Sequence, residues 1–185
     1  MSIDKETIVK VLRGERVEYE GGHLLAWRTV HADFTSSHNY RWPFPGQIAL
    51  AAPPAASLSR GAPCPAFVGD GLCLATTWRG AASGSISANT GLLVAYSPAD
   101  VLGSDADKLR VSLCRVVECF DIPALIRAGH LAGANLAGAN LSWARMAGAY
   151  LTEAYLAGAD LSWADLSWAR MAGANLTGAN LAGAD

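Results

Sequence analysis

Apolar and polar positions change their period twice along the chain. Over Asp4 to Arg13 the apolar residues Ile8, Val11 and Leu12 recur at helical spacing, and Gly14 follows as a helix stop, so a short amphipathic helix is expected there. Apolar, β-rich runs then mark strand candidates at His23 to Val30, Gln47 to Ala51, Leu72 to Thr77, Leu92 to Tyr96 and Leu109 to Phe120. Pro- and Gly-rich connections such as RWPFPG and AAPPAASLSRGAPCP separate them. This portion reads as a small α+β domain with a mixed or antiparallel sheet, residues 1–121. Asp121 to Gly129, DIPALIRAG, reads as a helix of one or two turns, with Pro123 in its first turn and Gly129 at its end.

At residue 130 the period becomes five and stays five to residue 185. Every fifth residue from Leu131 to Leu181 is Leu or Met, and from Leu136 onward an alanine stands two before each. An α-helix has a period of 3.6 and would scatter these leucines around its circumference. The glycines at 133, 138, 148, 158, 173, 178 and 183 would each cost it about 1 kcal/mol. A strand has a period of 2.0, so neither regular element fits.

The segments AGANL, AGADL, TGANL and LSWADLSWA closely resemble the pentapeptide-repeat family, whose consensus is A(D/N)LXX. The resemblance implies a right-handed quadrilateral β-helix in which each pentapeptide forms one side of a square and four form one coil. A narrow square tube admits one larger apolar side chain and one methyl per side, which accounts for the Leu/Met and Ala pattern. Residues 130–185 then make a little under three coils, about 14 Å of tube at the usual strand spacing. Residues 122–129 are placed to plug its lower end.

Twenty residues per coil sorts the outward side chains into columns. Trp143 should lie beneath Trp163, with Trp168 one side further around. Arg145, Asp165 and Asp185 form a second column, His130, Tyr150 and Arg170 a third, and Asn135, Tyr155 and Asn175 a fourth. Three indoles among Gly, Ala, Ser and Thr mark an expected interface. With no change of composition after Leu181, the upper coil edge should also be covered, either by a second copy or by another protein. The expected interface residues are therefore Trp143, Trp163, Trp168, Leu181 and Asp185.

Composition adds mainly exclusions. With 14 Lys+Arg against 16 Asp+Glu there is no large electrostatic footprint for nucleic acid or anionic membrane. No apolar run approaches a membrane span and the amino terminus is not signal-like, so a soluble cytoplasmic protein is expected. Cys64, Cys73, Cys114 and Cys119 have no short zinc-knuckle spacing and read as isolated buried thiols. Were residues 109–120 one strand, Cys114 and Cys119 would face opposite sides.

No phosphate-binding, zinc-protease or nucleophile-elbow motif is present. His23, His31 and His38, with Asp33, Ser36 and Ser37, cluster in sequence without defining a triad. The segment GDGLCLATTWRGAASG, followed by LLVAYSPADVLG, is similar in order to a stretch of ADP-ribosyltransferase folds. That resemblance implies NAD handling by His23 or Arg28, Ser83 or Ser85, and Glu118, although Cys73 stands where such enzymes carry Tyr.

The overall chain also resembles pentapeptide-tailed proteins of actinobacteria and their phages. The expected function is a non-catalytic interaction or assembly module without cofactor or metal, such as a virion component. One alternative is a DNA mimic that inhibits a topoisomerase. That would need a long acidic rod, whereas residues 128–185 carry only Glu153, Asp160, Asp165 and Asp185 against Arg145 and Arg170. The other alternative is the NAD-using enzyme.

Overall fold

The computed structural model describes residues 3–36, 40–51, 71–78 and 89–185. The amino-terminal helix α1 (Lys5–Leu12) is capped by Asp4, whose carboxylate accepts from the Thr7 amide at 2.7 Å. It buries Ile8, Val9, Val11 and Leu12. Among the described residues eight strands follow: β1 (Glu18–Tyr19), β2 (His23–Val30), β3 (Ile48–Leu50), β4 (Leu72–Ala75), β5 (Thr90–Tyr96), β6 (Val101–Ser104), β7 (Lys108–Val111) and β8 (Leu113–Asp121). They form one sheet in the order β3-β8-β5-β2-β4-β7-β6, with β1 beside β2, and every pairing is antiparallel. Among its described residues this amino-terminal part is mostly antiparallel sheet with few helices. Helix α2 (Ile122–Arg127) then leads into the repeats, its first turn capped by the Asp121 carboxylate through the Ala124 amide at 2.8 Å.

Two sequence expectations need correction. The strand expected over Leu109 to Phe120 is two, β7 and β8, because the chain turns at Ser112, whose amide bonds to the Asp100 carbonyl. Cys114 and Cys119 share a face of the sheet instead of opposing one another. The β5–β8 register slips between Leu93 and Val94, so Glu118 pairs with Leu93 and Val116 with Val94, leaving Val117 as an extra residue. That bulge inverts the alternation along β8. Cys114 and Cys119 both pack on the cluster containing Leu92, Val94 and Tyr96. Cys114 and Cys119 are free thiols. Cys64 lies outside the described residues.

The sheet therefore has two apolar faces. Leu24, Ala26, Leu92, Val94, Leu109, Val111 and Cys114 build one core. Leu25, Trp27, Leu93 and Ala95 face the other way, onto α1, and join a second core containing Ile122, Leu125 and Ile126 of α2. That second core runs without a break into the lumen of the repeats, from Leu131 to Leu166.

In the repeats, parallel bridges join residues 20 apart: Asn135 to Tyr155, Asn140 to Asp160, Arg145 to Asp165, Tyr150 to Arg170, Tyr155 to Asn175 and Asp160 to Asn180. Pentapeptides exchange backbone hydrogen bonds with the one 20 residues away in the neighbouring coil, those of the middle coil with both. The Leu156 amide donates to the Asn175 carbonyl at 2.8 Å, and the Tyr155 amide donates to the Ala134 carbonyl at 3.0 Å. The tube so formed is a β-solenoid in which Leu136, Leu141, Met146, Leu151, Leu156 and Leu161 are fully buried. Asn135, Asn140, Asp160, Asp165, Asn175 and Asn180 each accept the amide two residues on, closing the bend that each side of the square requires.

Candidate functional site

Each side of the tube ends in a β-turn, closed when the alanine opening the next side donates to the preceding Leu or Met carbonyl. Ala139 to Leu136 and Ala164 to Leu161, both at 3.1 Å, are examples. The residue before that alanine has positive φ at every corner, as the third position of a type II turn demands. Glycine fills it at 133, 138, 148, 158, 173, 178 and 183, with φ of 65° to 72°. The other corners hold Trp143 (φ 60°), Glu153 (58°), Trp163 (59°) and Trp168 (60°). A side chain with a Cβ is strained in this region by about 1 kcal/mol or more. Three of four departures from glycine are thus the bulkiest residue available, held where glycine would be free of strain.

The corner side chains lean toward the following coil. Trp143 stacks on Trp163 with centroids 5.4 Å apart and planes 10° from parallel. Trp163 in turn lies over Gly183, where an added Cβ would come within 2.6 Å of Cε3. The two indoles form a ladder on one corner, exposed at 66% and 57%, while Trp168 on the next corner is 93% exposed. The column Arg145, Asp165, Asp185 stands on the side between those two corners. One Asp165 oxygen accepts from Ser167 Oγ at 2.7 Å and from the Ser167 amide at 3.1 Å. These hydrogen bonds, the hydroxyl's first, hold the carboxyl below the usual carboxylate range. Among the described residues the Arg145 guanidinium makes no ion pair or hydrogen bond.

Below Arg145 this side meets the sheet and α2 across a groove of about 700 Å³, whose walls include Asn89, Phe120, Asp121, Arg127, Trp143 and Arg145. Arg127 donates to the Arg145 carbonyl and lies 3.9 Å from Asp121, tying α2 to the first coil. Cys119 also lines the groove. Burial, and secondarily Glu118, pushes its thiol upward, the opposite of what a nucleophilic cysteine needs.

The structure thus gathers Trp143, Trp163 and Trp168 around one side of the tube. Leu181, 42% exposed, and Asp185 lie in the third coil, where Asp185 bridges to coil two through the Ala164 carbonyl at 3.1 Å. The residues expected for NAD handling are not brought together. Arg28 pairs with Leu92 and Glu118 with Leu93, so the two point to opposite faces of the sheet. The Arg28 guanidinium donates to the Cys73 carbonyl at 3.1 Å. His23 shares the Glu118 face but lies two strands over and about four residues along, roughly 16 Å away by strand geometry. Its ring Nδ1 lies 2.8 Å from the Glu20 carbonyl. Ser83 and Ser85 lie outside the described residues, as do Ser37 and His38. Asp33 is engaged by Thr35 through both hydroxyl and amide. Among the described residues no cluster of His, Cys, Asp and Glu could hold a metal, and no helix is long and apolar enough to cross a membrane.

Sequence reasoning missed the groove and the unpaired Arg145, since both arise from packing between distant segments. The strain under the tryptophans was legible: they occupy the slot that the repeat otherwise gives mostly to glycine.

A family model for pentapeptide repeats, in eight copies, matches residues 134–171 and 159–185. No curated protein matches the chain. No solved structure matches it either.

Proposed function

Because residues 134–185 belong to the pentapeptide-repeat family, a family of interaction and structural modules, we propose that this chain is an assembly protein. Its binding surface is the side of the tube framed by Trp143, Trp163 and Trp168. Residues 1–121 form a head, 122–129 a cap that continues the head's core into the lumen, and 130–185 a rigid tube presenting the surface. The observation that carries this reading is the left-handed backbone under all three indoles. At Trp143 and Trp163 the stack offsets part of the strain, but the fold gains nothing from Trp168, 93% exposed at a corner where Gly is unstrained, so its strain is retained for what the side chain contacts. Exposed, pre-ordered indoles with few rotatable bonds are the side chains most often found at the energetic centre of protein interfaces.

The test replaces the three tryptophans by the residue the corner prefers. Tagged wild type and the Trp143→Gly/Trp163→Gly/Trp168→Gly variant are compared for the proteins they retain from an extract of the cells that make the chain. The reading expects proteins held by wild type to be lost from the variant, with circular dichroism unchanged. Identical recovery by both would overturn it.

A further inference from the structure

We infer that the binding partner of this side of the tube is a second copy of the chain, packed side by side with its tube antiparallel to the first. The inference rests on the reading above, that the tryptophan-framed side binds protein.

This side of the tube is self-complementary. Going up the tube, the side carries Arg145 in the first coil and Asp165 directly above it, and its flanking corner carries Trp143 and then Trp163. Take a two-fold axis lying across this side, perpendicular to the tube and midway between the two coils. It sets Arg145 of each copy against Asp165 of the other, and Trp143 of each against Trp163 of the other. Two ion pairs and an aromatic cluster form from a single patch, as an isologous contact requires. The parallel arrangement, with its axis along the tube, sets Arg145 against Arg145 and Asp165 against Asp165, and is opposed by like charge.

The groups needed are available. Among the described residues Arg145 has no ion pair, and Asp165 commits one oxygen to Ser167 while the other has no partner. The antiparallel arrangement also brings each copy's third coil down beside the other's head. The groove of about 700 Å³ between the first coil and α2 lies at that level. The corner arriving there is Gly183, which has no side chain to clash.

Charge exchange tests the contact. Asp165→Arg gives up the hydrogen bonds to Ser167, but Arg145 and Arg170 already occupy the equivalent slot elsewhere in the tube, and circular dichroism of each variant checks that the tube is kept. Arg127 holds the Arg145 carbonyl rather than its side chain, and Arg145 is exposed while Asp165 is half-buried. In sedimentation velocity, wild type should run at twice the 19.3 kDa of one chain. Arg145→Asp alone and Asp165→Arg alone should each weaken the dimer on the order of a hundredfold, since each creates two like-charge contacts per dimer. An equimolar mixture of the two variants should restore a dimer, and so should Arg145→Asp/Asp165→Arg within one chain. A wild type monomeric at high concentration, single variants as dimeric as wild type, or a mixture that stays monomeric would each overturn the inference. A monomeric wild type whose tryptophans still retain another protein overturns the dimer and leaves the interaction reading standing. A dimer that survives replacement of all three tryptophans by Gly overturns both.

Discussion

Replacing the most exposed tryptophan should make the protein more stable. Trp168 is 93% exposed, so its side chain contributes almost nothing by burial, yet its backbone sits at φ 60°. Substitution by Gly removes the left-handed strain at the cost of a more flexible unfolded chain. Where φ is positive the balance favours Gly by about 0.5–1 kcal/mol. Trp168→Ala keeps the Cβ and the strain, and so should match wild type within about 0.5 kcal/mol. The two variants differ only by one methyl and share the loss of the indole, which isolates the backbone term. At Trp163 the result should differ, because Gly there also removes the stack on Trp143, and aromatic pairs contribute about 0.5–1.5 kcal/mol. Strain relief and lost stacking then nearly cancel. Urea unfolding followed by circular dichroism, with hydrogen exchange at the tube amides as a second probe, resolves differences of this size. Stability in the order Trp168→Gly above Trp168→Ala is expected, and the reverse order would refute a left-handed corner at residue 168.

Three further outcomes follow from the tube. Leu156→Ala, at a fully buried lumen position, should cost about 2–5 kcal/mol, whereas Leu181→Ala, 42% exposed, should cost under about 1 kcal/mol; paired urea titrations check the gradient. Gly183→Ala should weaken the third coil, because its Cβ would come within 2.6 Å of the Trp163 ring at a corner with φ 70°, and faster hydrogen exchange at Trp163 and Asp185, whose amides bond between the second and third coils, would report it. Acid should loosen the protein at its caps. Asp4, Asp33, Asp105 and Asp165 are all held below the ordinary value of 3.8 by hydrogen bonds that the unfolded chain lacks. Their contribution is present above that value and lost as pH falls through the depressed ones, so the unfolding midpoint should be level near neutrality and drop below about pH 4.

How far the sequence could be read depended on how local the determinants were. The tube was legible because each pentapeptide repeats one local instruction, an Asx-closed bend and a left-handed corner, and the columns at 20-residue spacing follow by arithmetic. Strands β2 and β5 were legible from their apolar runs, and α1 and α2 from their caps. β6 was not, since Val101–Ser104 is short, contains Gly103 and is held in place by β7. The faces of β8 could not be read because the bulge at Val117 depends on pairing with β5, a tertiary event that leaves no mark in LCRVVECF. The same limit applies to the site. The tryptophans announced themselves by composition, but the groove beneath Arg145 exists only because α2 turns the sheet's end toward the first coil.

The side of the tube between the tryptophan corners should be covered when the protein works. Hydroxyl-radical footprinting with mass spectrometry, applied in the cells that make the protein and to the dilute purified chain, measures this directly. Trp143, Trp163 and Trp168 should oxidise readily in the dilute chain and be protected in the cell, while exposed Phe44 on the head reacts in both. Equal oxidation of all three tryptophans in both settings would contradict it.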